Sequence, residues 1–147
     1  MNHHPGKLAV VALLAALTAG CMETGGGAQA PAVPVASHQV TGLETATGSF
    51  VGASGHVTSG TASVFWTGSQ WVVSLGSDFS QDGAPDPVVG LGNGAYDPAA
   101  KLGPLQSNTG AQTYPLPAGL DIGDYLQVYI WCEQFSVPLG VADLVLL

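Results

Sequence analysis

Short runs of β-branched and aromatic residues, each cut off by Gly, Pro, Asn or Asp, recur from residue 47 to residue 147, and this punctuation constrains the fold most. The run 56–65 alternates: His56, Thr58, Gly60, Ala62 and Val64 face one way, and Val57, Ser59, Thr61, Ser63 and Phe65 the other. A turn carrying Gly68 follows Trp66 and leads into a partner strand over 70–75, a hairpin. Further strands are expected around 49–51, at V-V-G-L-G, at A-Q-T-Y-P-L-P, and over 125–131 and 135–147. The stretch D-F-S-Q-D-G-A-P-D-P reads as a loop, and A-G-L-D-I-G-D as a turn with Asp121 and Asp124 in solvent. Residues 95–104 are predicted to hold one helical turn, with Asp97 as cap and Pro98 at its first position. The expectation is one all-β domain, an antiparallel β-sandwich or small barrel of about seven to nine short strands.

The chain starts differently. His3, His4 and Lys7 precede an apolar run of about ten residues, which suits a signal-peptide core and is too short for a membrane span. L-T-A-G-C at 17–21 resembles a bacterial lipoprotein box, in which Cys21 becomes the lipidated first residue; ordinary secretion with cleavage near Ala28 or Ala30 is the alternative. Either route exports the protein. Met22 stands where an aspartate would favour inner-membrane retention, so the resemblance implies sorting to the outer membrane. Residues 22–47 are Gly-, Ala-, Pro- and Ser-rich with little periodicity and read as a tether, His38 being a solvated residue within or near it. The expected division is a signal peptide over 1–20, a lipidated start and tether over 21–46, and the domain over 47–147.

Charge narrows the function. The sequence has 10 Asp and Glu against 2 Lys and no Arg, for a net charge of −8. Such a surface repels phosphate backbones, so no nucleic acid is expected as a partner, and arginine clamps for phosphate or carboxylate substrates are excluded. With no G-x-S-x-G elbow, hydrolysis through a serine triad is unsupported. Asp78, Asp82 and Asp86 recur every four residues, which does not match a calcium loop, and read as a solvated acidic loop. Trp66, Trp71, Trp131, Tyr125 and Tyr129 would fit a small-molecule pocket, but at strand spacing such residues are more often core.

The remaining chemistry gathers at Cys132, between Trp131 and Phe135 at or just past a strand end. If lipid consumes Cys21, Cys132 has no partner within the chain. In an oxidising compartment such a thiol is buried, bonded or chemically used. A reactive thiolate needs a cation, an imidazolium or a metal nearby, and the domain offers only Lys101, His38 and His56. A metal or haem iron would supply that charge, although the C-x-x-C-H motif of covalent haem is absent. His56, beside Gly55, is the natural second ligand; otherwise it is a strand-end histidine bonded to a backbone carbonyl.

Several stretches together resemble the electron-transfer DM-thirteen domain: F-V-G-A-S-G-H-V-T-S-G-T-A, D-F followed by G-A-P-D-P-V-V-G-L, L-G-P-L, A-Q-T-Y-P-L-P and V-Y-I-W-C-E-Q-F-S-V-P-L-G-V-A-D-L. The resemblance covers residues 47–147, and I-W-C-x-x-F-x-V-x-x-G-x-A is its most specific part. It implies a β-sandwich-like domain and a single near-invariant cysteine, carried here by Cys132, that works as a bare thiol or binds a prosthetic group such as haem. Ala84, inserted between Gly83 and Pro85, and residues 87–90, usually larger or aromatic, depart from the pattern.

The resulting expectation is a lipid-anchored redox or electron-transfer module of the cell envelope rather than a turnover enzyme. Cys132 is its working residue, His56 a second ligand, haem or a metal ion its conceivable cofactor, and its partners are the membrane and a redox protein. The alternative is a binding or adhesion module in which Cys132 is structural.

Overall fold

The computed structural model describes residues 43–147. The expected signal segment, Cys21, the first part of the tether and His38 lie outside the described residues. The described chain is all-β apart from one 3-10 turn, Ile122–Asp124, and none of its helices is long and apolar enough to cross a membrane.

Eleven strands follow in order: β1 (Leu43–Gly52), β2 (Thr58–Ser59), β3 (Thr61–Trp66), β4 (Trp71–Leu75), β5 (Ser80–Gln81), β6 (Pro87–Gly92), β7 (Tyr96–Pro104), β8 (Gln112–Pro115), β9 (Gln127–Cys132), β10 (Val137–Asp143) and β11 (Val145–Leu146). Nine form one antiparallel sheet in the order β7-β6-β9-β10-β1-β3-β4-β8, with β11 also on β1, and the sheet curls until it is nearly a closed barrel. β2 and β5 make a separate two-stranded piece. The expected fold class is therefore what the chain adopts.

The ten-residue β1 is the hinge of this architecture. Along its length it pairs β3, while β11 occupies its other edge at Ala46 and Thr47 and β10 takes over from Phe50 to Gly52. Strand structure thus starts earlier than the expected domain boundary at 47: the ladder includes Leu43, and Ala46 is already in the core.

The expected hairpin is present, with Trp66 opposite Trp71 and Thr67 N–H donating to Gln70 O. In β3 the expected face of Ala62 and Val64 is buried, and Phe65 of the opposite face is buried as well. The core collects Val64, Val73, Leu75, Leu91, Ile130 and Leu139, all essentially solvent-free, with the Phe50 and Phe79 rings edge to face. Each such side chain contributes about 1.5–3 kcal/mol by leaving water.

The expected helical turn over 95–104 is absent. Residues 96–104 are the edge strand β7 and not a helical turn. Asp97 does accept from Ala99 N–H at 2.8 Å, the bond a helix cap would make, but the chain continues extended. An edge strand tolerates Pro98 because no ladder partner needs its missing N–H.

The connection from edge strand β7 into edge strand β8 is braced by side chains. Buried Gln112 accepts through Oε1 from Gln106 N–H, Ser107 N–H and Tyr114 O–H, and donates through Nε2 to Ser107 O.

The register separates two ends. β1 enters beside Trp66 and leaves beside Gly140, and Cys132, paired with Val137 and Pro87, lies at the Gly52 end. Trp66, Trp71, Leu126 and Leu146 lie at the Leu43 end.

Candidate functional site

Cys132 is the last residue of β9, where the sequence places it, and is 1 % exposed within the apolar core. It is a free cysteine. Its S–H donates to the Pro85 carbonyl oxygen at 3.1 Å, and the next residue, Glu133, donates its N–H to Asp86 O at 3.1 Å. The thiol therefore holds the loop 82–86 from below.

The same loop is fixed at its other end by His56. The ring Nδ1 lies 2.9 Å from Asp82 Oδ1, and since a carboxylate only accepts, Nδ1 carries the hydrogen. Val57 N–H donates to Asp82 Oδ2 at 3.0 Å, and Asp82 N–H returns a bond to Val57 O. These contacts, Val57 N–H first and His56 next, hold the Asp82 carboxyl below its ordinary range. Asp78 is similarly lowered by the Thr61 hydroxyl and then the Thr61 N–H. The expected solvated acidic loop is thus exposed, yet two of its carboxylates tie it to β3 and to the approach to β2.

Thus His56 and Cys132 grip opposite ends of one five-residue loop, and each has its own partner. No hydrogen bond or ion pair joins them among the described residues, and no group of three or more His, Cys, Asp and Glu gathers there as a metal would require. A haem or metal at Cys132 does not fit this arrangement. Iron on Sγ would break the bond to Pro85 O and displace core side chains around a nearly solvent-free sulfur, while the expected second ligand is held by Asp82. Lys101, one of the few cationic groups available to activate a thiol, is paired with Glu133 at 2.7 Å.

Backbone strain is concentrated at this end. Among the described residues, the three non-glycine residues with positive φ are here: Ser54 at 54°, in the turn before His56; Asp86 at 50°, after the Pro85 acceptor; and Ser136 at 53°, in the turn joining Cys132 to Val137. Left-handed backbone disfavours side chains, and residues held there recur at working sites. Val57 and Phe135 are exposed beside the loop, so Phe135 lies in a turn and not in the strand expected over 135–147.

Sequence reasoning did not single out Tyr96. Its ring stacks on Trp131 at 4.6 Å, meets Tyr129 edge-on at 6.0 Å, and lies over Gly90 so closely that a Cβ there would come within 2.6 Å of it. Tyr96 Oη is buried without a hydrogen-bond partner, and burial, then Glu133 and Asp97, raise its pKa. The G-L-G of β6 was the signal available, since two glycines on one strand leave room for rings above them.

Comparison with known proteins places these residues in a family. The model of the family described as electron transfer DM13 matches residues 49–144, which contain both ends of the loop and the thiol beneath it. No curated protein and no solved structure matches the chain. The match spans well over half of the sequence, and the chain belongs to the electron transfer DM13 family.

Proposed function

We propose that the protein is an exported, lipid-anchored electron-transfer module in which Cys132 is the working thiol and the loop 82–86 is its cover. The family description supports an electron-transfer role. The observation that carries the finer reading is an unpaired thiol, bonded to Pro85 O, under a loop latched at its far end by His56 and Asp82. Burial protects such a thiol from wasteful oxidation, and a latch made of a few exposed hydrogen bonds opens at small cost.

When the loop lifts, Cys132 meets a disulfide of a partner protein. Its sulfur bonds to one partner sulfur, the other leaves as a thiolate, and the Cys132 proton passes to solvent. A thiolate of a second protein then attacks Cys132 Sγ, the first partner's remaining sulfur leaves as its second thiolate, and Cys132 stays joined to the second protein as a mixed disulfide; two electrons have passed from the two thiols to the first partner's disulfide. Exposed Val57 and Phe135 give the partner an apolar rim beside the loop. Oxidised glutathione tests the step: the native protein forms one reversible mixed disulfide at Cys132, and Cys132→Ser forms none. Failure of the folded protein to react removes the thiol role.

A second reading has its own observation. At 1 % exposure inside the core, Cys132 packs as a small hydrophobe would, which suits a binding or adhesion module of the cell envelope with a structural cysteine. That reading predicts that Cys132→Ser lowers the melting temperature modestly and changes nothing else.

A further inference from the structure

We infer that the Leu43 end of the barrel is a seat for a lipid bilayer surface, entered by Trp66, Leu126 and Leu146; the inference rests on the lipid anchor at Cys21 proposed above. These side chains are 40 %, 55 % and 80 % exposed, and Val145 and Leu147 beside them are exposed as well. The remaining large exposed apolar residues, Val51, Val57 and Phe135, are at the Cys132 end, where Val57 and Phe135 border the loop.

Three further observations choose the bilayer as occupant. An open cavity of about 190 Å³ lies within the patch, lined by Ala46, Val64, Ile122, Leu126 and Leu144, and its walls are the apolar kind that accept hydrocarbon. Trp66 and Trp71 sit edge to face at 5.5 Å on the rim, and amphipathic indole rings favour the membrane–water boundary. Finally, the chain leading from Cys21 enters the barrel here, at Leu43. Fully extended it reaches only about 75 Å, so an anchor at Cys21 keeps this end close to the surface, and weak apolar contacts then suffice because the second binding event is intramolecular.

Charge sets the lipid preference. Asp121 and Asp124 are exposed at this end, and Lys101, the lysine of the described residues, is occupied by Glu133. With no cation to serve it, the seat works by apolar insertion, and anionic headgroups weaken it. Seating this end also turns the Cys132 loop away from the bilayer, toward a soluble partner.

The test uses the full lipid-modified chain in phosphatidylcholine vesicles with brominated acyl chains. Trp131→Phe leaves Trp66 and Trp71 as the fluorescent reporters. Seating quenches them, Leu126→Ser with Leu146→Ser shifts the seated-to-lifted ratio by about tenfold or more, and exchanging half of the lipid for phosphatidylglycerol reduces the quenching. A chain that carries its lipid and stays on the vesicles with both tryptophans unquenched overturns the seat and leaves the anchor standing. The same result with a photocrosslinker at position 146 joining two copies gives the face to self-association and likewise overturns it. If mass spectrometry finds no lipid on Cys21, the anchor reading fails by itself, and the unmodified chain at high vesicle concentration decides the seat: quenching supports it and its absence overturns it.

Discussion

The Sγ of Cys132 stands 3.1 Å from the carbonyl oxygen of Pro85, 47 residues away in the chain, and this bond fastens a surface loop to the floor of the core. Its strength is separable from the packing of the sulfur. Cys132→Ser retains a donor for Pro85 O and should cost about 1 kcal/mol or less, whereas Cys132→Ala leaves that oxygen unpaired above a small void and should cost about 1–3 kcal/mol. Urea unfolding of the two variants measures both; equal losses would show that the bond adds nothing.

The other end of the loop makes a kinetic prediction. Asp82→Ala removes the acceptor of His56 Nδ1 and of Val57 N–H together. Alkylation of Cys132 by a small uncharged reagent should then run about tenfold faster under native conditions, with only a modest loss of global stability, because the change falls mainly on the local opening. Labelling at the parent rate would mean that the thiol is not reached through this loop.

Acid should loosen the same end. Asp78 and Asp82 both have carboxyls held below their ordinary value of 3.8. A depressed folded value means that the stabilisation is complete above about pH 4 and is lost as pH falls through the folded values. Asp78→Asn and Asp82→Asn should therefore melt below the parent at pH 7, with the gap closing below about pH 4. Melting curves across that range check the sign.

Much of this was legible in the sequence, for physical reasons. Period-two alternation marked β3, Gly68 marked its hairpin, and the I-W-C run placed Cys132 at a strand end. Residues 43–46 were invisible as strand because L-E-T-A carries no alternation; the ladders to β3 and β11 impose extension on it. Asp97-Pro98 misled because one Asp-to-backbone bond serves a helix cap and an edge-strand turn alike. The His56–Asp82 pair was hidden by a separation of 26 positions along the chain, and only the closure of β2 on β5 brings its members together.

The connection between β7 and β8 offers a test independent of the thiol. Gln112→Leu keeps the volume but strips the acceptor from Ser107 N–H and Tyr114 O–H and the donor to Ser107 O, while Gln106 N–H keeps Tyr114 Oη. A loss of about 2–4 kcal/mol is expected by denaturant unfolding. The same variant should raise hydrogen exchange in β7 and β8 before the rest of the sheet.

The central claim, that Cys132 works in the folded protein by local opening of the loop 82–86, is tested most directly by comparing two free energies. One is the opening energy obtained from the alkylation rate of Cys132 under native conditions, and the other is the global unfolding energy from denaturant titration. The account predicts an opening energy well below the global one and insensitive to low denaturant concentrations. Equality of the two, with the same denaturant slope, would mean that the thiol is reached only when the whole domain unfolds, and would contradict the account.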